Sequence, residues 1–221
     1  IDRIDFGKSV MSILDTSSIP LPPISDDLID YEVNIDGDWV LWRNRVPEVN
    51  IESHKVSSSD SVIPTLDTTR HEDLLASWIL DHRNVILCGP PGSGKTMILT
   101  CVLRSLNNYD ACFLNFSSAT QPELILKTFD QYCTVVNTSK GLVLQPNQAG
   151  RWLVVFCDEI NLPANDKYGT QRVVTFMRQI IEHKGYWRAS DLQWIRLERI
   201  MFVGASNPPT DAGRVPLSER F

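Results

Sequence analysis

The chain has 221 residues, 43% of them hydrophobic and 22% charged, ordinary globular usage that excludes a disordered or collagen-like chain. Its formal charge of -6 argues against nucleic acid as a partner, because phosphate backbones need a concentrated basic stripe. No apolar run approaches the ~18 residues needed to cross a bilayer, and the opening Ile1-Asp2-Arg3-Ile4-Asp5 lacks the build of a secretory signal, so no membrane partner is expected.

Residues 1–60 read as a lead-in, extended by prolines at Ile19-Pro20-Leu21-Pro22-Pro23. A turn signal at Asp36-Gly37-Asp38 and a short aromatic patch, Asp38 to Trp42, follow, and Ser57 to Ser61 reads as a surface loop. Regular structure is expected from about residue 61. Thr69 and Glu72 have capping-box spacing, with Leu74, Leu75, Trp78 and Ile79 on one helical stripe until Asn84 breaks it. Val85 to Cys88 reads as a buried parallel strand. A helix should follow Gly94 and carry Met97, Ile98, Cys101 and Leu103 to about Leu106, with a second strand at Ala111 to Phe116.

Thr120 and Glu123 repeat the capping spacing and predict a helix to about Tyr132. A hairpin turning at Lys140-Gly141 is predicted over Thr134 to Leu144, and Arg151 to Cys157 is the third and most apolar strand. Val173, Phe176, Met177, Ile180 and Ile181 predict a helix stopped by Gly185. Tyr186-Trp187-Arg188 and Gln193 to Leu197 read as an inserted hairpin, whose Trp187 and Trp194 either contact another part of a larger assembly or pack on each other. Arg199 to Ala205 is the fourth strand. Strands alternating with helices imply an α/β fold with a parallel sheet. The cysteines Cys88, Cys101, Cys112, Cys133 and Cys157 read as buried reduced thiols, and His54, His71, His82 and His183 have no metal-ligand spacing.

Chemistry concentrates at Gly89-Pro90-Pro91-Gly92-Ser93-Gly94-Lys95-Thr96, which fits the phosphate-loop pattern at every fixed position. Glycines let successive N–H groups turn inward around phosphate oxygens, and the following helix adds its positive end. Lys95 can reach the β and γ phosphates, and the Thr96 hydroxyl can coordinate Mg²⁺. A chance match in a chain this long is on the order of one in a hundred. Asp158 and Glu159 close the apolar run Val154 to Cys157, at the edge where parallel sheets bind ligands. There Asp158 would hold Mg²⁺ through water and Glu159 would act as general base. Asn207 ends the fourth strand, either as a hydrogen-bond partner of the attacking water or γ phosphate, or as a turn before Pro208-Pro209. Asn115 ends the second strand and could restrain Glu159 until a ligand arrives.

This constellation resembles an AAA+ ATPase module. More narrowly, Asn115 to Thr120, Phe156 to Pro163, Lys167 to Gln171 and Gly204 to Asp211 resemble the cytoplasmic dynein heavy-chain family, and best its third AAA+ module. The resemblance implies that residues 1–23 end a preceding module's lid, 24–60 form an inter-module lead-in, and 61–221 form the large nucleotide-binding subdomain. It implies ATP or ADP with Mg²⁺, adenine contacts from Val62, Ile63, Pro64 and Thr65, catalytic roles for Lys95, Glu159 and Asn207, and Arg220 as an arginine finger to a neighbouring module. Implied partners are the neighbouring AAA+ modules of one ring, the motor's linker, a heavy-chain homodimer and accessory chains, with microtubules only indirectly, in the cytoplasm. The implied function is a regulatory ATPase gating the motor cycle; the alternative is a nucleotide-occupied switch or structural module without turnover. A family module would continue into a fifth strand beside the phosphate-loop strand and then a helical lid, so that strand is expected to be an exposed edge and the chain reads as part of a longer one, inactive and poorly soluble alone.

Overall fold

A computed structural model describes residues 3–15, 20–22, 27–48 and 63–218. The chain divides into two units, residues 1–73 and 74–221. The first contains helix α1 (Arg3–Leu14), strands β1 (Tyr31–Val33) and β2 (Trp39–Leu41), and the first half of α2 (Leu66–Leu80). β1 and β2 pair antiparallel, so the predicted turn and aromatic patch belong to one small hairpin. Gly37 takes φ +90° there, and the Asp38 N–H donates to Asn34 Oδ1 at 2.8 Å. Arg45 ties this hairpin to α2 by pairing with both Glu32 and Asp73.

The second unit is built on β3 (Val85–Cys88), β4 (Tyr109–Asn115), β7 (Trp152–Asp158) and β10 (Ile200–Ser206). They form an all-parallel sheet in the order β3-β10-β7-β4. Every residue of β7 from Leu153 to Cys157 is buried, because the pleat sends alternate side chains into two separate cores. Val154 and Phe156 join Leu75 and Ile79 of α2 and Ile98, Leu99 and Val102 of α3 (Lys95–Ser105). Leu153, Val155 and Cys157 face Ile125 and Phe129 of α4 (Glu123–Tyr132), and Val173, Met177 and Ile180 of α5 (Arg172–His183). Helices thus cover both faces, as the strand-helix alternation implies.

Two hairpins leave this framework: β5 (Cys133–Thr138) with β6 (Gly141–Pro146), and β8 (Gly185–Arg188) with β9 (Gln193–Leu197). The sequence predicts each separately. The structure joins them through parallel pairing of β6 with β9, giving a second sheet in the order β5-β6-β9-β8. Trp187 and Trp194 pack edge to face across the second hairpin, with ring centroids 5.4 Å apart.

Several expectations are corrected. α2 is capped by Thr65 and Thr68 rather than by Thr69 and Glu72: the Thr68 hydroxyl accepts from the Thr65 N–H at 2.7 Å, and the Thr65 hydroxyl from the Thr68 N–H at 3.2 Å. Its buried stripe is also narrower than predicted, with Leu74 and Trp78 exposed. Thr120 caps its own turn by accepting from the Ser117 N–H, and Pro122 precedes α4, so Glu123 meets no capping threonine.

Gly185 does not stop α5. Lys184 takes the left-handed position at φ +50°, and Gly185 opens β8, where a Cβ would lie 2.5 Å from the Trp194 ring and 2.6 Å from the Ile195 carbonyl. Finally, Ile86 and Cys88 are exposed rather than buried, because among the described residues β3 pairs with β10 alone, at the sheet edge where the resemblance puts it. The other four cysteines are also free thiols, three of them buried. Among the described residues no cluster suited to a metal ion occurs, and no helix is long and apolar enough to cross a membrane.

Candidate functional site

All four parallel strands end at one edge of the sheet, in register. Ser206 lies opposite Cys88, and Asn115 opposite Asp158. Between β3 and α3 the loop turns through two left-handed glycines, Gly92 at φ +77° and Gly94 at φ +81°. At Gly92 an added Cβ would meet nothing within 4 Å, so the need there is conformational, not steric. The N–H groups of Gly92, Gly94, Lys95 and Thr96 have no protein acceptor among the described residues, leaving a set of donors at the positive end of an 11-residue helix. That is the donor chemistry a phosphate chain requires.

Facing this loop across a cleft of about 360 Å³ are Asp158, Glu159 and Asn207, with Met97 also at its wall. Thr96 Oγ1 donates to Asp158 Oδ2 at 3.1 Å, bringing together the hydroxyl and carboxylate oxygens that suit Mg²⁺. Asp158 Oδ1 accepts the Glu159 N–H at 2.9 Å, and Glu159 itself turns through φ +56°. Lys95 Nζ donates to the carbonyls of Gly89 at 2.9 Å and Pro90 at 3.0 Å, and to Asn207 Oδ1 at 3.0 Å. The Asn207 amide passes the chain on, its Nδ2 donating to Glu159 Oε1 at 2.9 Å.

Sequence reasoning overlooked two residues. Arg214 Nη2 lies 2.7 Å from each oxygen of the Glu159 carboxylate. Asn161, only 1% exposed, donates from Nδ2 to the Asn207 carbonyl at 2.8 Å. Asn161 lies inside the run Phe156 to Pro163 but the sequence reading gives it no role, and Arg214 stands out only as a cation after a glycine, seven positions beyond Asn207. Asn115, expected to restrain Glu159, is exposed, and its side chain makes no hydrogen bond among the described residues; Asn207 and Arg214 hold the carboxylate instead. Of the adenine candidates, Ile63, Pro64 and Thr65 lead into α2 within the first unit, and Val62 lies outside the described residues, as does Arg220.

A parallel sheet flanked by helices, with a glycine-rich anion loop after its edge strand and a carboxylate pair two strands away, defines an α/β P-loop fold of the AAA+ ATPase kind. The chain belongs to the family of P-loop containing dynein motor regions, whose model matches residues 50–221. It is 60% identical over 220 residues to the cytoplasmic dynein heavy chain of Drosophila melanogaster, a match covering 99% of this chain and 5% of that relative. The cytoplasmic dynein heavy chain of Dictyostelium discoideum is 58% identical over 223 residues, covering 100% of this chain and 5% of the relative. That of Caenorhabditis elegans is 56% identical over 218 residues, covering 97% of this chain and again 5% of the relative. The chain therefore spans about a twentieth of the length of the curated relatives it matches.

Proposed function

We propose that this chain is the nucleotide-binding core of the third AAA+ module of a cytoplasmic dynein heavy chain, binding ATP with Mg²⁺ and hydrolysing it slowly as a regulatory site. The observation that carries this reading is the hydrogen-bonded line from Lys95 through Asn207 to Glu159, spanning the same cleft as the Thr96–Asp158 pair. The loop N–H groups and Lys95 would bind the phosphate chain, and Thr96 and Asp158 would hold Mg²⁺, Asp158 through water. The bound cation would neutralise charge developing on the phosphate oxygens. Glu159 takes a proton from the attacking water while the water oxygen bonds to the γ phosphorus and the bond to the leaving ADP oxygen breaks. Asn207 orients Glu159 and the water.

In this reading residues 1–23 end the lid of a preceding module, 24–60 connect, and 61–221 form the large subdomain. Val62 to Thr65 would meet the adenine, and Arg220 would complete a neighbouring module's site. Neighbouring modules and the linker would be the direct partners, within a heavy-chain dimer carrying accessory chains; microtubules would be reached only indirectly. The cytoplasm is the expected location, as the relatives' names state for them.

One feature favours a second reading, a switch driven by occupancy without appreciable turnover: Lys95 is engaged by loop carbonyls and Asn207, so a phosphate chain must rearrange it before any chemistry. Comparing Lys95→Ala with Glu159→Gln in the complete motor separates the two. The hydrolytic reading expects the first to empty the site and the second to trap ATP, with different motility. Identical behaviour of the two variants leaves only the switch.

A further inference from the structure

Glu159 is held more completely than a solvent-facing base would be. Its N–H is bound to Asp158 Oδ1 and its carbonyl accepts from the Leu162 N–H at 2.9 Å, which fixes the left-handed backbone. A carboxylate offers about four lone-pair sites. Oε1 accepts from Asn207 and Arg214, while Oε2 lies 2.7 Å from the same Arg214 nitrogen as an ion pair, which leaves Oε2 open to receive a water. Both contacts from arginine come from the single atom Nη2, at 2.7 Å.

Arg214 is committed to this task. Its side chain is 16% exposed, its Nη1 makes only a long bond to the Ala212 carbonyl at 3.4 Å, and its Nε is buried with no acceptor among the described residues. The loop that carries it is fastened at a single buried residue. The Val215 N–H donates to the Asn161 carbonyl at 2.9 Å, while the Asn161 side chain holds the Asn207 carbonyl. Both partners of Glu159 are thus anchored by a residue two positions beyond it.

We infer that Arg214 is a positioning residue for Glu159, setting the direction of its carboxylate through one nitrogen, with Asn161 as the anchor that keeps Arg214 and Asn207 in step. This rests on the hydrolytic reading of the cleft. A pair so held gains more from orientation than from Coulomb attraction, since fixing a reacting group within a fraction of an ångström changes rate far more than affinity.

The test uses the complete heavy chain with the phosphate-loop lysines of its other modules replaced, so that turnover reports this cleft. Arg214→Ala lowers kcat about tenfold or more with KM for ATP within about threefold. Arg214→Lys recovers part of the loss, because an ammonium can stand where Nη2 alone makes both contacts, and Arg214→Met does not. Asn161→Ala shows the same split to a smaller degree. An unchanged or raised kcat in Arg214→Ala overturns the inference. So does a parallel loss of ATP binding and kcat in both the alanine and lysine variants, which makes Arg214 a structural residue. If the chain shows no turnover before Arg214 is touched, and Glu159→Gln changes nothing, the hydrolytic reading falls and takes the inference with it.

Discussion

Lys95 Nζ and Asn207 Oδ1 lie 3.0 Å apart although 112 positions separate them in the chain. The contact closes the cleft from the loop at the edge strand to the end of its neighbour, β10. Asn207 is only 7% exposed, and its own carbonyl is held by Asn161, so the amide is presented to Lys95 and Glu159 in one orientation.

Replacing Asn207 by alanine removes both contacts at once. Turnover at this site should fall about a hundredfold, the scale for losing one preorganised donor. ATP binding should be held or tightened, because Lys95 loses an acceptor that competes with phosphate. Paired measurements of ATP binding and single-turnover hydrolysis in the complete motor check this, and a variant hydrolysing at the original rate rules it out.

Gly185→Ala should be among the more damaging single-methyl changes in the fold. The new Cβ would sit 2.5 Å from the Trp194 ring, which is packed on Trp187, and 2.6 Å from the Ile195 carbonyl, which belongs to the backbone of the β8–β9 pair. Overpacking of this kind costs ~1–3 kcal/mol. Thermal unfolding of the heavy chain carrying the change should show the loss in this module, whereas Gly92→Ala, with open space around it, should act on nucleotide binding through its φ of +77°.

The thiols make stability fall at alkaline pH. Burial pushes Cys112 and Cys133 from the ordinary 9.0 up to about 12, with the neighbouring Cys112 adding to the effect on Cys133, and burial raises Cys157 as well. The folded state therefore keeps its protons where the unfolded chain loses them. Stability is unaffected below pH 9 and declines from there to about 12, by roughly 1.4 kcal/mol per pH unit for each thiol. Urea unfolding midpoints followed across this range check the slope. In the folded chain an alkylating reagent should modify exposed Cys88 first and leave Cys112, Cys133 and Cys157 untouched.

The side of β3 that is unpaired among the described residues should make the 221-residue polypeptide self-associate when prepared alone, since an exposed strand edge is a template for further pairing. Light scattering at rising concentration measures this, together with negligible ATP turnover by the same sample. A monodisperse, actively hydrolysing preparation contradicts both parts.

Where the chain's own periodicity decides the outcome, the sequence could be read directly. The runs at Val85, Ala111, Trp152 and Ile200 become the four parallel strands, and the loop pattern lands between a strand and a helix. Apolar composition alone did not show position in the sheet, because such a run has the same appearance at an edge as at the centre; the resemblance pointed β3 to the edge, and the exposure of Ile86 follows from its pairing there. Caps were misjudged because Thr69 and Glu72 match a spacing that Thr65 and Thr68 satisfy sooner. Arg214 and Asn161 escaped notice for a further reason. Their partners are fixed by the meeting of three chain segments, and no local pattern encodes that.

The pairing of β6 with β9 carries a mechanical consequence. β5 continues from α4 without an intervening residue, and β8 follows α5 after Lys184 alone. The second sheet is therefore a cross-brace between two helices on one side of the parallel sheet. Load applied at either hairpin tip should be shared by both helices, and rotating one should drag the other.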